Sequence, residues 1–172
     1  SAALKNKLTQ YEASLPATDD LAKFRVALVG GDADRGRKIF REKAETQCMR
    51  CHKCEMGDSL VGPELTHIGS SRDRTYLLEA VIYPNKAIAP GFDTVIVTLD
   101  DGNVLGGRLA SEDATTLKIE TVDAQGKAQT TTVAKAKIKQ RDSAPSPMPP
   151  GMGEILSRSD LRDVIEYLAT RR

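Results

Sequence analysis

Two cysteines and a histidine stand together in Cys48-Met49-Arg50-Cys51-His52. A C-x-x-C-H run reads as a site of covalent c-type haem attachment. The spacing has a chemical reason. Two thiols one helical turn apart add across the two vinyl groups of a haem, and the adjacent histidine is then held against one face of the iron. Two other chemistries use the same residue types. A zinc knuckle of Cys48, Cys51, His52 and Cys54 would crowd four ligands into one short stretch and strain a tetrahedron, since structural zinc sites draw their ligand pairs from separated segments. A dithiol redox pair is the other alternative. The weight of the motif falls on haem.

The rest of the composition sets bounds. The chain has 172 residues, enough for one domain or two small ones, and 25 Lys and Arg against 24 Asp and Glu leave a net charge of +1. That balance argues against a dedicated nucleic-acid or membrane-surface binder, which carries a basic excess. No apolar run approaches the roughly 20 residues of a transmembrane helix. The opening Ser1-Ala2-Ala3-Leu4-Lys5 lacks the charged-then-apolar pattern of a leader, so none is read there. Three Phe, four Tyr and no Trp are few for a core of this size, because large rings usually dominate buried area. A porphyrin would fill that space.

The elements that position the motif follow from periodicity. Leu4, Leu8, Tyr11 and Leu15 recur at helical spacing, and Pro16 ends the pattern. Asp19 or Asp20 caps a second short helix carrying Leu21, Phe24 and Leu28. Asp32 is a strong N-cap for a helix expected to run to about Thr46. A polar, Gly-containing loop follows to about Ser71, then a helix over 74–83 closed by Pro84. From Phe92 to about Arg141 the period becomes two. Strands are expected near 94–99, 104–110, 115–121, 128–133 and 136–140, with Asp101-Gly102 as a hairpin turn. Strands so closely joined must be antiparallel. Four prolines and two glycines exclude regular structure over 143–153. A last helix opens at Ser157, with Asp160 completing a capping-box pattern, and carries Leu161, Val164, Ile165 and Leu168 as its apolar stripe.

Beyond the motif, the chain resembles the class I cytochromes c. Gly31 to Phe40 is similar to their N-terminal helix, Gly62-Pro63-Glu64-Leu65 to the Gly-Pro-x-Leu after the haem histidine, and Val164-Ile165-Glu166-Tyr167-Leu168 to their C-terminal helix. The resemblance implies that Gly36 lets the first helix approach the last, with Phe40 meeting Val164 and Tyr167. It implies that the Pro63 carbonyl accepts a hydrogen bond from His52 Nδ1–H, turning Nε2 to the iron. Leu65 would line the haem. Ser146-Pro147-Met148-Pro149-Pro150-Gly151 resembles the family's bacterial Met-Pro loop, which makes Met148 the expected sixth ligand. Its prolines would pre-set the backbone and lower the entropy of ligation. Met152 is the rival, lining the pocket otherwise; Met49 and Met56 are read as loop or packing residues. His67 would give bis-His ligation, the other reading being a solvated loop residue.

The long separation of His52 from Met148 is filled by the β segment. An interrupted haem domain of this kind resembles the Planctomycete/Verrucomicrobia-type haem-binding domain, a C-terminal module of large multidomain proteins. The likeness covers about 30 to 170 and includes Tyr83-Pro84, Ile88-Ala89-Pro90-Gly91-Phe92 and Ser146 to Leu156. Cys54, Pro147 and Met152 depart from it. The expected fold is α+β: a class I cytochrome c helical domain (30–91 and 143–172), an N-terminal helical extension (1–29), and an inserted small antiparallel sheet or partial barrel (92–142).

The implied function is one-electron transfer by a single His/Met haem c, located in the periplasm or otherwise outside the cytoplasmic membrane. Its partner would be a redox protein or a fused dehydrogenase domain. Leu65, Ile68, Val81 and the Met148 loop would keep water from the iron. The alternatives are a haem-based small-ligand sensor or peroxidase-like enzyme with a labile Met148, and a β segment that is itself a partner-binding module. Cys54 is left over: it forms an intermolecular disulfide and a homodimer, or it is a free thiol. Lys135, Lys137, Lys139 and Arg141 alternate along one expected strand face, where they dock an acidic redox partner or protect a sheet edge.

Overall fold

A computed structural model describes residues 2–16, 18–55, 61–123 and 127–172. Helix α1 (Ala2–Ser14) forms as its periodicity predicts but lies on the outside, with Leu4 and Tyr11 at least half exposed. The segment after it is a 3₁₀ helix (Ala22–Leu28), preceded by Asp19, whose carboxylate accepts from the Leu21 N–H at 3.1 Å. Leu21 just before it, and its own Phe24 and Ala27, are buried in the main helical core.

Helix α2 (Ala33–Glu42) is capped by Asp32, whose carboxylate accepts from the N–H groups of Asp34 and Arg35, both at 3.0 Å. It stops at Glu42, short of the expected Thr46. The Thr46 hydroxyl donates back to the Lys43 carbonyl at 3.0 Å, an alternative to helix that short hydroxyl side chains offer the backbone. Gln47 then takes a left-handed conformation (φ 47°) and starts the single turn α3 (Cys48–Cys51) in a new direction. Within the expected loop lies a further turn, α4 (Ile68–Ser71), followed by α5 (Arg74–Ile82) capped by Asp73.

The five strands β1 (Thr94–Leu99), β2 (Val104–Glu112), β3 (Thr116–Val122), β4 (Ala128–Ala134) and β5 (Ile138–Ala144) form one antiparallel sheet in the order β4-β3-β2-β1-β5. The three-residue link between β4 and β5 spans at most about 14 Å. The edges of a flat five-stranded sheet lie about 19 Å apart. The sheet therefore curls, and its concave face encloses Val95, Val97, Leu117, Ile119 and Val133 as a second core, separate from the helical one.

That link also corrects the expected row of four cations. Lys135 and Lys137 belong to a 3₁₀ turn (Lys135–Lys137), because the chain must leave β4 to reach the opposite edge of the sheet. Lys135 and Arg141 converge instead on Glu112, at 2.6 and 2.9 Å. A second correction falls at the end of the sheet. Strand β5 continues to Ala144, and a turn of helix, α6 (Met152–Ile155), occupies part of the stretch read as irregular.

Helix α7 (Arg158–Ala169) is capped by Ser157, whose hydroxyl accepts from the Asp160 N–H at 3.1 Å. It crosses α2 where Gly36 sits. Any Cβ there would collide with the Asp163 carbonyl, so the close approach depends on glycine. Phe40 and Tyr167 meet one turn on, with ring centroids 5.7 Å apart and planes tilted by 54°. Asp163, 2% exposed, completes the joint by accepting from the Asp32 N–H and Arg35 Nε, both at 2.9 Å. The molecule is thus mixed helix with a five-stranded antiparallel sheet, an α+β architecture. No described helix is long and apolar enough to cross a membrane.

Candidate functional site

The motif turn is held from both sides. The His52 N–H closes α3 on the Cys48 carbonyl at 2.9 Å, and the Gly62 N–H donates to the Cys51 carbonyl at 3.1 Å. His52 Nδ1 lies 2.9 Å from the Pro63 carbonyl oxygen. A carbonyl only accepts, so Nδ1 carries the proton and the Nε2 lone pair is left for another partner. The imidazole fits because residue 62 has no side chain: a Cβ there would stand 2.7 Å from His52 Cε1. Burial holds the imidazole below its ordinary pKa, against the opposing pull of the Pro63 carbonyl, which keeps the ring neutral and fit to donate its lone pair.

His52, Cys48, Cys51, Pro63, Leu65 and Met148 all border one cavity of about 360 Å³. Packed interiors leave few voids larger than a water molecule, and a space of this size has room for a sizeable group. Its wall is mostly apolar. Ile68, Leu77 and Val81 come from α4 and α5, Phe40 from α2, and Val164 and Leu168 from α7. Burial raises the thiols of Cys48 and Cys51, and the Thr46 hydroxyl partly offsets this at Cys48. The two cysteines lie a helical turn apart on the wall of a cavity that also receives a histidine and a thioether. This donor set, in an apolar enclosure, fits a covalent haem.

The two candidate methionines both border the cavity but differ in packing. Met152 is 3% exposed and belongs to the helical core, whereas Met148 is half-buried in an irregular loop. That loop is tied to the turn after α5: the Ser146 N–H donates to Asn85 Oδ1 at 2.7 Å, and the Met148 N–H to Ser146 Oγ at 3.2 Å. Met49 is half-buried against the core and away from the cavity; Met56 lies outside the described residues.

His67 is exposed and takes no part in the cavity wall, which corrects its candidacy as a ligand. Among its described residues the cavity wall contains no Asp or Glu. Zinc finds no support either. Among the described residues no three of His, Cys, Asp and Glu come together as a metal site. The reason is visible at Cys54, which is 3% exposed and turned into the helical core beside Tyr167. Desolvation pushes its thiol up to about 11, with the Tyr167 hydroxyl pulling the other way. Cys54 is a buried free thiol in this structure, and an intermolecular disulfide through it would require the core to open.

Four contributors to the site carried no role in the sequence reading. Arg72 and Tyr76 border the cavity, with the guanidinium 4.7 Å from the ring centroid. Phe92 forms part of the wall just before the sheet, and Arg108 of β2 stacks on it at 5.0 Å. The one signal for Arg108 in the sequence is a lone charge among the small and apolar residues of an expected strand. No family model matches the chain, and no curated protein matches its sequence.

Proposed function

We propose that the chain is a c-type cytochrome module resembling class I cytochromes c, and that it carries single electrons. One haem would be tethered through Cys48 and Cys51, with His52 and Met148 as the residues that would ligate its iron. The observation that carries this reading is the His52–Pro63 contact at the wall of an apolar cavity that also receives both motif cysteines and Met148.

When bound, a His/Met haem exchanges one electron between its ferric and ferrous states. The chain's own residues supply the setting. Pro63 holds the imidazole so that Nε2 faces away from its carbonyl, and Gly62 leaves room for the ring. Leu65, Ile68 and Val81 exclude water, which disfavours the more highly charged oxidised site. Among the described residues the wall holds no carboxylate and no histidine besides His52. Haem attachment and the family likeness imply a location outside the cytoplasmic membrane, and a donor that is a redox protein or fused dehydrogenase.

The test is expression with a c-type haem maturation system. Haem should stay with the polypeptide on a denaturing gel, and Cys48→Ala with Cys51→Ala should abolish this. The oxidised protein should show a methionine–iron charge-transfer band that is lost in Met148→Ala and kept in Met152→Ala. Haem that is absent, or lost on denaturation, would refute the reading.

A further inference from the structure

The curled sheet is joined to the rest of the chain through the cavity wall. Its entry segment contributes Ile88, Pro90 and Phe92 to that wall, and its exit segment contributes Ser146, Pro147 and Met148. The two segments are brought together by the sheet itself, because Thr94 at the start of β1 stands opposite Ala144 at the end of β5. On its other side Thr94 stands opposite Arg108 of β2.

Arg108 has an arrangement that the sheet alone does not require. Its side chain is only 16% exposed and pairs with Glu120 of β3. It reaches out of the sheet as well. Nη1 donates to the Gly91 carbonyl at 2.9 Å, and the guanidinium lies 5.0 Å from the centroid of the Phe92 ring. A half-buried arginine costs desolvation that an apolar side chain would avoid. Here the charge grips a backbone carbonyl and a ring in the cavity wall.

We propose that Arg108 is a positioning residue through which the β module clamps the cavity wall. It holds Gly91 and Phe92 on the entry side. The Thr94–Ala144 rung then carries that restraint to the segment bearing Met148. Resting on the reading above, in which Met148 is a ligand, the clamp would keep that thioether in place and small molecules out.

Two variants of the full chain test this by hydrogen exchange. Arg108→Lys keeps a positive charge for Glu120 but loses the planar fork and the stack. Phe92→Leu removes the ring and leaves the ion pair alone. Both should speed amide exchange about tenfold in residues 85–92 and 144–148, the factor expected for one lost charge-assisted contact, while β2 and β3 stay as protected as in the unsubstituted chain. In the haem-loaded, reduced protein both should bind CO severalfold faster. Unchanged exchange in either segment would overturn the clamp, as would faster exchange spread evenly through β2 and β3, or an unchanged CO rate. A chain that takes up no haem would remove the cytochrome reading, and the exchange pattern would still decide the role of Arg108.

Discussion

Arg74, in the first turn of α5, grips Glu166 of α7 with two prongs: Nη2 donates to Oε1 at 2.8 Å, and Nη1 lies 2.6 Å from Oε2. The pair fastens the helix that forms one side of the cavity to the helix that crosses α2. The hydrogen bond from Arg74 holds the Glu166 carboxyl below its ordinary value of 4.5.

The sign of the pH dependence follows. A carboxyl whose folded pKa is depressed stabilises the fold fully above its unfolded pKa, and that contribution is lost as pH falls through the folded value. Arg74→Met should therefore lower the urea midpoint by a constant amount above about pH 5, and the gap to the unsubstituted protein should narrow below about pH 4. Urea titrations across that range check it. A gap that does not change with pH would mean that the apolar stem of Arg74, rather than its charge, carries the effect.

Met148 and Met152 should separate in stability as well as in spectrum. Met152 is 3% exposed in the helical core, so Met152→Ala should cost about 2–5 kcal/mol. Met148 is half-buried in its loop, and Met148→Ala should cost roughly 1 kcal/mol or less when no haem is bound. Equilibrium unfolding of the haem-free chain measures both. Equal losses would show that the Met148 loop packs as tightly as the core does.

Cys54 should be inert in the folded protein. In a Cys48→Ala, Cys51→Ala chain it is the sole thiol. Maleimide should label it slowly under native conditions and fully in denaturant, because the sulfur lies in the core against Tyr167. The same chain should run as a monomer on a non-reducing gel. Rapid native labelling or a disulfide-linked dimer would contradict this placement.

Much of the site was legible in the sequence because its parts are short-range. Cys48, Cys51 and His52 need only a turn of helix to stand together, and Asp32 and Ser157 cap the helices they immediately precede. Alternation within 94–141 announced strands, and Asp101-Gly102 announced the hairpin whose Gly102 adopts φ +87°. Chain reach then requires the sheet to curl.

Other outcomes were decided by contacts between distant residues. Helix α2 crosses α7 at Gly36, a contact with residues more than a hundred positions later. The cation row breaks because β4 and β5 end up on opposite edges of one sheet. Local sequence leaves Cys54 open between an intermolecular disulfide and a free thiol, and packing against a helix more than a hundred residues later buries it. Arg108 looks like an ordinary strand charge until folding brings Phe92 under its guanidinium. The sequence by itself determined which chemistry the chain can do, since thiols, imidazole and thioether keep their reactivity wherever they sit. Only the tertiary structure decided which of them share the apolar cavity, because burial and proximity are properties of the whole packed chain.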